Sequence, residues 1–174
     1  IRALLNTKPL GRGNNPVGVG SKPKTPMDLP WINPVATKGR HRRKFPSLGS
    51  RAIGLYPIVD SAAWVKRLLP HQPPWLQLRI KSPNHHQCEE EIKQAIEWAR
   101  PTKTQLIIND YWELALRHGA HGVHLGQNDL YPEALNALEK AGILLGISTH
   151  NLSEIARATG EQPSYIALGT LFHT

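Results

Sequence analysis

At 174 residues with a formal net charge of +8, the chain is long enough for one ordinary domain with its own core. A single cysteine, Cys88, excludes an internal disulfide, and no apolar run approaches the ~20 residues that span a bilayer, so a cytoplasmic location without membrane insertion is expected. The charge is unevenly placed: residues 1–52 hold 11 Lys/Arg against one acid, Asp28, whereas residues 53–174 hold 10 against 12, so the positive balance belongs to the N-terminal stretch.

Residues 1–52 read as a basic extension, with "GRGNNPVGVGSKPKTP" and "KGRHRRKFPSLGSR" showing no sustained apolar period. Such a stretch buries too little to offset its ordering entropy, and disorder is expected. The cluster Arg40, Arg42, Arg43 and Lys44 has the composition of a solvated tail; nucleic-acid binding would call for a base-reading motif, and none accompanies it. The sole methionine is Met27, so the residues before it are expected to be upstream read-through or a truncated extension.

The domain is expected to start at residue 53. Strands are predicted at Leu55–Asp60, Trp75–Lys81, Gln105–Asn109, Gly122–Gly126, Leu144–Ser148 and Tyr165–Gly169, with helices between them. Ile92, Ala95, Ile96 and Ala99 form a helical stripe that Pro101 ends, and Leu135, Leu138 and Ala141 form another. Asn151 and Glu154 have the spacing of a capping box. Alternating strands and helices imply a parallel sheet, either doubly wound or part of a (β/α)8 barrel. The first strand is not followed by G-x-G-x-x-G, which favours a partial barrel of about six strands.

Chemistry concentrates on the second strand, "WLQLRIK", where alternation puts Gln77, Arg79 and Lys81 on one face. Two inward cations need anions, either a phosphorylated ligand or an internal partner such as Asp60. Asp110 and Asp129 each follow an apolar run. They have the positions of helix caps, Asp110 with Glu113 as its reciprocal partner, yet two carboxylates at adjacent strand ends beside Arg79 and Lys81 also suit Mg2+ and a diphosphate. His118, His121 and His124 repeat every third residue, but Gly119 and Gly122 interrupt any helix and convergence on zinc is not expected. Cys88 reads as an ordinary thiol, and Trp64, Trp98 and Trp112 as packing residues.

The segments "GLYPIVD", "LQLRIK", "INDYW", "GVHLGQNDL", "LGISTH" and "PSYIALGTLF" stand in the order and spacing of the bacterial thiamine-phosphate synthase family, which the chain closely resembles from Gly54 onward. The resemblance implies a (β/α)8 barrel that couples 4-amino-2-methyl-5-hydroxymethylpyrimidine diphosphate to a thiazole phosphate, releasing diphosphate, with Mg2+ as cofactor. It assigns Gln77, Arg79, Lys81, Asn109 and Ser148 to the pyrimidine diphosphate, with Arg79, Lys81 and Ser148 as the catalytic set. Asp110 and Asp129 become Mg2+ ligands, and Thr174 the first threonine of a P-T-x-T-K loop that contacts the thiazole phosphate.

His173 replaces the proline of that loop, and the sequence ends at Thr174. From Gly54 there are 121 residues, against roughly 250 in a typical barrel. The expectation is therefore a fragment, inactive and poorly folded alone, with apolar strand edges exposed. The alternatives are a thiazole tautomerase on the same barrel, with His150 as acid/base, and a nucleic-acid-binding protein acting through residues 1–52.

Overall fold

The computed structural model describes residues 3–6, 43–49, 53–82 and 84–170. Among the described residues seven strands, Ala3–Asn6 (β1), Ile58–Val59 (β2), Trp75–Leu78 (β3), Gln105–Asn109 (β4), Gly122–Leu125 (β5), Leu144–Thr149 (β6) and Tyr165–Leu168 (β7), form one sheet. Its order is β1-β7-β6-β5-β4-β3-β2, parallel from β2 to β7, with β1 antiparallel on β7. Among the described residues five α-helices make the connections: Ala62–Leu68 (α1), His85–Ala99 (α2), Trp112–His118 (α3), Pro132–Ala141 (α4) and Leu152–Gly160 (α5).

The sheet is strongly curled. Tyr56, just before β2, shares a 2.8 Å hydrogen bond with Tyr165 on β7. Five strand spacings separate β2 from β7 in the hydrogen-bonding order, about 24 Å if the sheet were flat. Contact between their hydroxyls requires the six parallel strands to wrap, as an open portion of a (β/α)8 barrel does.

Each strand turns one set of side chains to the helices and the other inward. Leu76, Leu78, Leu106, Ile108, Leu145 and Ile147 belong to the outer core. The stripe predicted on α2 is fully buried, and α2 ends at Ala99, before Pro101. On α4, Leu135 and Leu138 are buried but Ala141 is exposed; Ala134 takes its place. Asn151 caps α5 by accepting from the Glu154 N–H at 2.9 Å, while the Glu154 carboxylate reaches back to the His150 N–H at 2.8 Å.

Several expectations are corrected. The first strand of the barrel shrinks to two residues, because Pro57 has no N–H to give a ladder and only β3 pairs with it among the described residues. The second stops at Leu78, leaving Arg79 and Lys81 past the strand end. Within the N-terminal stretch, residues 3–6 add a strand to β7, and Arg43 and Lys44 bond to α4. There Phe45 is buried in the core, Arg43 pairs with Glu161, and the Lys44 N–H donates to Glu139. Arg40 and Arg42 lie outside the described residues. Trp64 is exposed with the Arg67 guanidinium over its ring, whereas Trp98 and Trp112 pack against the core as expected. Among the described residues no helix is long and apolar enough to cross a membrane.

Candidate functional site

The C-terminal ends of β3, β4 and β5 form a cleft of about 590 Å³ lined by Lys81, Asp110, Tyr111, Asp129 and Tyr131, among others. Asp110 follows β4 directly, with φ 65°. That left-handed conformation is costly for most L residues and tolerated by Asp. Its N–H donates to the His124 carbonyl on β5 at 3.0 Å, which holds the turn. The N-cap of α3 is Tyr111, with no side-chain cap bond, so the expected Asp110/Glu113 capping pair does not form.

Asp129 closes a single 3-10 turn, Gln127–Asp129, and Tyr131 is the N-cap of α4, again without a side-chain cap bond. Neither aspartate caps a helix. Gly126 makes room for the second one: a Cβ there would stand 3.1 Å from Asp129 Oδ2.

The electrostatics join these residues. Burial, and then the charge of Asp129, push the Asp110 carboxyl above its ordinary value, while Arg79, a hydrogen bond from Asn109 and Lys81 pull it the other way. Two carboxylates and two cations thus act on one another at a single rim. The alternative of an Arg79 or Lys81 pair with Asp60 is not formed among the described residues. Arg79 instead lines a second, interior cavity of about 470 Å³ together with Tyr56, Gln77 and His124.

That interior explains the remaining predicted residues. Gln77 is 1% exposed, and its amide donates from Nε2 to the Tyr56 hydroxyl at 3.1 Å, while its Oε1 is buried with no hydrogen-bond partner. Ser148 Oγ lies 2.8 Å from His124 Nε2, and His124 Nδ1 lies 3.0 Å from the Tyr165 hydroxyl. Asn109 is buried beside Asp110. Thr174 lies outside the described residues.

Tyr56, His124, Gly146 and Tyr165 are the inner-face residues missed on the sequence. Register puts His124, Gly146 and Tyr165 in one row across β5, β6 and β7. A Cβ on Gly146 would stand 2.1 Å from Tyr165 Cζ and 2.5 Å from His124 Nδ1. The glycine is what lets those two side chains meet across the middle strand. A glycine inside an apolar strand is a readable signal of close approach.

Other candidates separate from the site. His118 meets Glu89, His121 Nδ1 accepts from the Leu106 N–H, and His124 faces inward, so the three do not converge. Among the described residues no group of three or more His, Cys, Asp or Glu is placed to hold a metal. Cys88 is buried with its thiol 3.3 Å from the Tyr111 hydroxyl. His150 Nδ1 is engaged by Glu154 at 2.9 Å and lines neither cavity.

Comparison with known proteins gives a consistent picture. The family model described as thiamine monophosphate synthase matches residues 55–174. A thiamine-phosphate synthase of Photorhabdus laumondii is 57% identical over 122 residues, covering 70% of this chain and 56% of that protein. One from Yersinia pestis is 52% identical over 130 residues, covering 75% and 60%. The chain therefore spans less than two thirds of the length of these relatives. Among solved structures, a thiamine phosphate pyrophosphorylase from Pyrococcus furiosus superposes with a TM-score of 0.61 at 26% identity, covering 70% of this chain and 62% of that one. With the model spanning most of the chain, and with strand ends and inner face arranged as described, the chain belongs to the thiamine monophosphate synthase family.

Proposed function

We propose that this chain forms the pyrimidine-diphosphate half of a thiamine-phosphate synthase, which couples the pyrimidine diphosphate to a thiazole phosphate and releases diphosphate. The observation that carries the reading is the meeting of Asp110, Asp129 and Lys81 in one cleft, with Arg79 close enough to act on the Asp110 carboxyl. Uncompensated, two carboxylates there repel; a divalent cation and an anionic ligand would offset both the carboxylates and the two cations.

The donor set fits Mg2+. Both ligands are hard oxygens, and Mg2+ commonly takes one or two protein carboxylates and completes its shell with water and substrate phosphate. Asp110 and Asp129 would hold it, and when bound it would neutralise charge that develops on the leaving diphosphate.

The chain's own residues divide the remaining work. Arg79 offers a bidentate fork to phosphate oxygens and Lys81 a mobile point charge, both at the rim where the diphosphate would sit. Preorganised cations stabilise a departing anion more in a partly desolvated cleft than in water. Gln77 presents a buried acceptor, Oε1, to the interior cavity, suited to an amino group on a heterocycle. Ser148 and Asn109 would complete the polar contacts, and Thr174 would reach the thiazole phosphate.

The test uses this chain and a chimera that appends the C-terminal portion of the Photorhabdus relative. Each is incubated with both substrates, with and without Mg2+, and thiamine phosphate is measured by chromatography. Coupling in the chimera that requires Mg2+ is expected. Metal-independent isomerisation of a thiazole carboxylate, with no coupled product, would sink the reading.

A further inference from the structure

The two rim carboxylates are held in different ways. Asp110 sits in a turn pinned by its own main chain, whose N–H reaches the His124 carbonyl on β5 at 3.0 Å. The Asp129 N–H stays within its own 3-10 turn, donating to the Gly126 carbonyl at 3.2 Å. Leu130 anchors the next residue in the core, but burial of an apolar side chain fixes no direction.

Gln127 supplies the tie that the Asp129 main chain does not. β5 ends at Leu125, opposite Ile147 on β6, and the chain then enters the turn at Gly126. Inside that turn Gln127 Nε2 donates to the Ser148 carbonyl on β6 at 2.7 Å. Successive carbonyls of a strand point to opposite sides, and that of Thr149 accepts from the Gly169 N–H on the β7 side. The Ser148 carbonyl therefore faces the β5 side, and a side-chain amide meets it past the end of β5.

This amide has one workable orientation. Flipped, it would set Oε1 against another carbonyl oxygen, so Nε2 takes Ser148 and Oε1 is left buried with no hydrogen-bond partner. A buried, unpaired acceptor is costly, and a hydrocarbon side chain of the same length would avoid it. Gln127 is thus poor filler for its space; what it provides is a direction.

We propose that Gln127 is a positioning residue: by tying the Asp129 turn to the Ser148 carbonyl, it fixes the spacing of Asp129 from Asp110, and with it the preference of the rim for a small cation. The proposal rests on the reading of Asp110 and Asp129 as Mg2+ ligands and deepens it. Mg2+ demands near-ideal octahedral geometry, whereas Ca2+ accepts irregular shells at longer distances. Carboxylates held at one spacing suit the first, and a turn cut loose from β6 should lose Mg2+ before Ca2+.

The experiment uses the full chain labelled with 15N, first without any cation. Gln127→Met keeps the length of the side chain and removes the donor. Amide relaxation should show Asn128 and Asp129 losing order in the variant, whereas Asp110, with its own main-chain bond to β5, should stay as ordered as before. Mg2+ and Ca2+ are then titrated separately by calorimetry. The variant should lose about 10–100-fold in Mg2+ affinity, the usual size for a residue that orients a metal ligand. Its loss for Ca2+ should be clearly smaller, so that the ratio of the two affinities moves toward Ca2+.

Unchanged order at Asn128 and Asp129 in a folded variant overturns the tie. Equal losses for the two cations overturn the control of spacing, because general loosening of the fold would weaken both alike. If urea denaturation shows that Gln127→Met does not fold, Gln127→Ala removes the same donor and opens its space to water, and the same two readouts decide. An unsubstituted chain that binds neither cation would count against the proposed function, while the amide order still decides whether Gln127 holds the turn.

Discussion

On β3, Leu76 and Leu78 turn toward the helices, and Gln77 between them turns inward to a hydroxyl. The same contrast repeats on β6, where Leu145 and Ile147 are core residues and Gly146 and Ser148 serve the inner face. The outer face is apolar, and its side chains are in part interchangeable because area burial is non-directional. The inner face is directional: each polar atom depends on a particular partner at a particular distance. One strand therefore answers to two kinds of constraint, one residue apart.

That comparison is broken most severely at the rim. Asp129→Asn in the chimera should lower Mg2+-dependent turnover by about 10²–10³-fold, the usual size of losing one preorganised electrostatic group. Its effect on stability should stay within about 0.5 kcal/mol, since Asp129 makes no capping bond to α4. Urea denaturation alongside the rate assay separates the two quantities. A large stability loss with turnover intact would return Asp129 to a structural role.

A pair of neighbouring substitutions then sets the two faces against each other. Ile147→Ala removes a fully buried outer side chain and should cost about 2–5 kcal/mol. Gly146→Ala adds one methyl where Tyr165 and His124 already stand, and overpacking of that kind should cost about 1–3 kcal/mol. The smaller loss should be the more disruptive to the inner face: only Gly146→Ala should shift the His124 ring resonances strongly. Equal shifts in both variants would mean that the faces are not independent.

How much was legible follows the same division. The α2 stripe of Ile92, Ala95, Ile96 and Ala99, the stop at Pro101 and all six barrel strands could be read, because periodicity reports burial and burial is what the outer face needs. Asp110, Asp129, Arg79 and Lys81 could be gathered as one candidate site because each lies within four residues after the end of a strand, and the loops that follow strand ends share a rim in this architecture. The Tyr56–Tyr165 contact could not be read: it joins residues 109 positions apart and depends on how far the sheet curls. Phe45 was lost for another reason. It stands between Lys44 and Pro46 in a basic, proline-rich stretch, and no local period distinguishes an anchored residue from a solvated one.

The smallest effect bears on the sign of the charges at the rim. Burial and Asp129 hold the Asp110 carboxyl above its ordinary 3.8, so between those two values the folded chain binds a proton that the unfolded chain has released. Stability therefore falls as pH rises through that window and stays lower at neutral pH. Glu89 behaves oppositely. Hydrogen bonds from Arg117 and His118 hold it below its ordinary 4.5, and its contribution is present above that value and fades as pH falls. Asp110→Asn keeps a residue that tolerates the left-handed turn and removes only the charge. The variant should melt slightly higher than the unsubstituted chain at pH 7, by an amount limited by the solvent that still reaches this rim, and the gap should close near pH 3.8. Added Mg2+ should raise the melting temperature of the unsubstituted chain and leave the variant nearly unchanged. A variant that melts lower at pH 7 would mean that the Asp110 charge stabilises the fold, and the rim would then be a structural ion network rather than a place held ready for a cation.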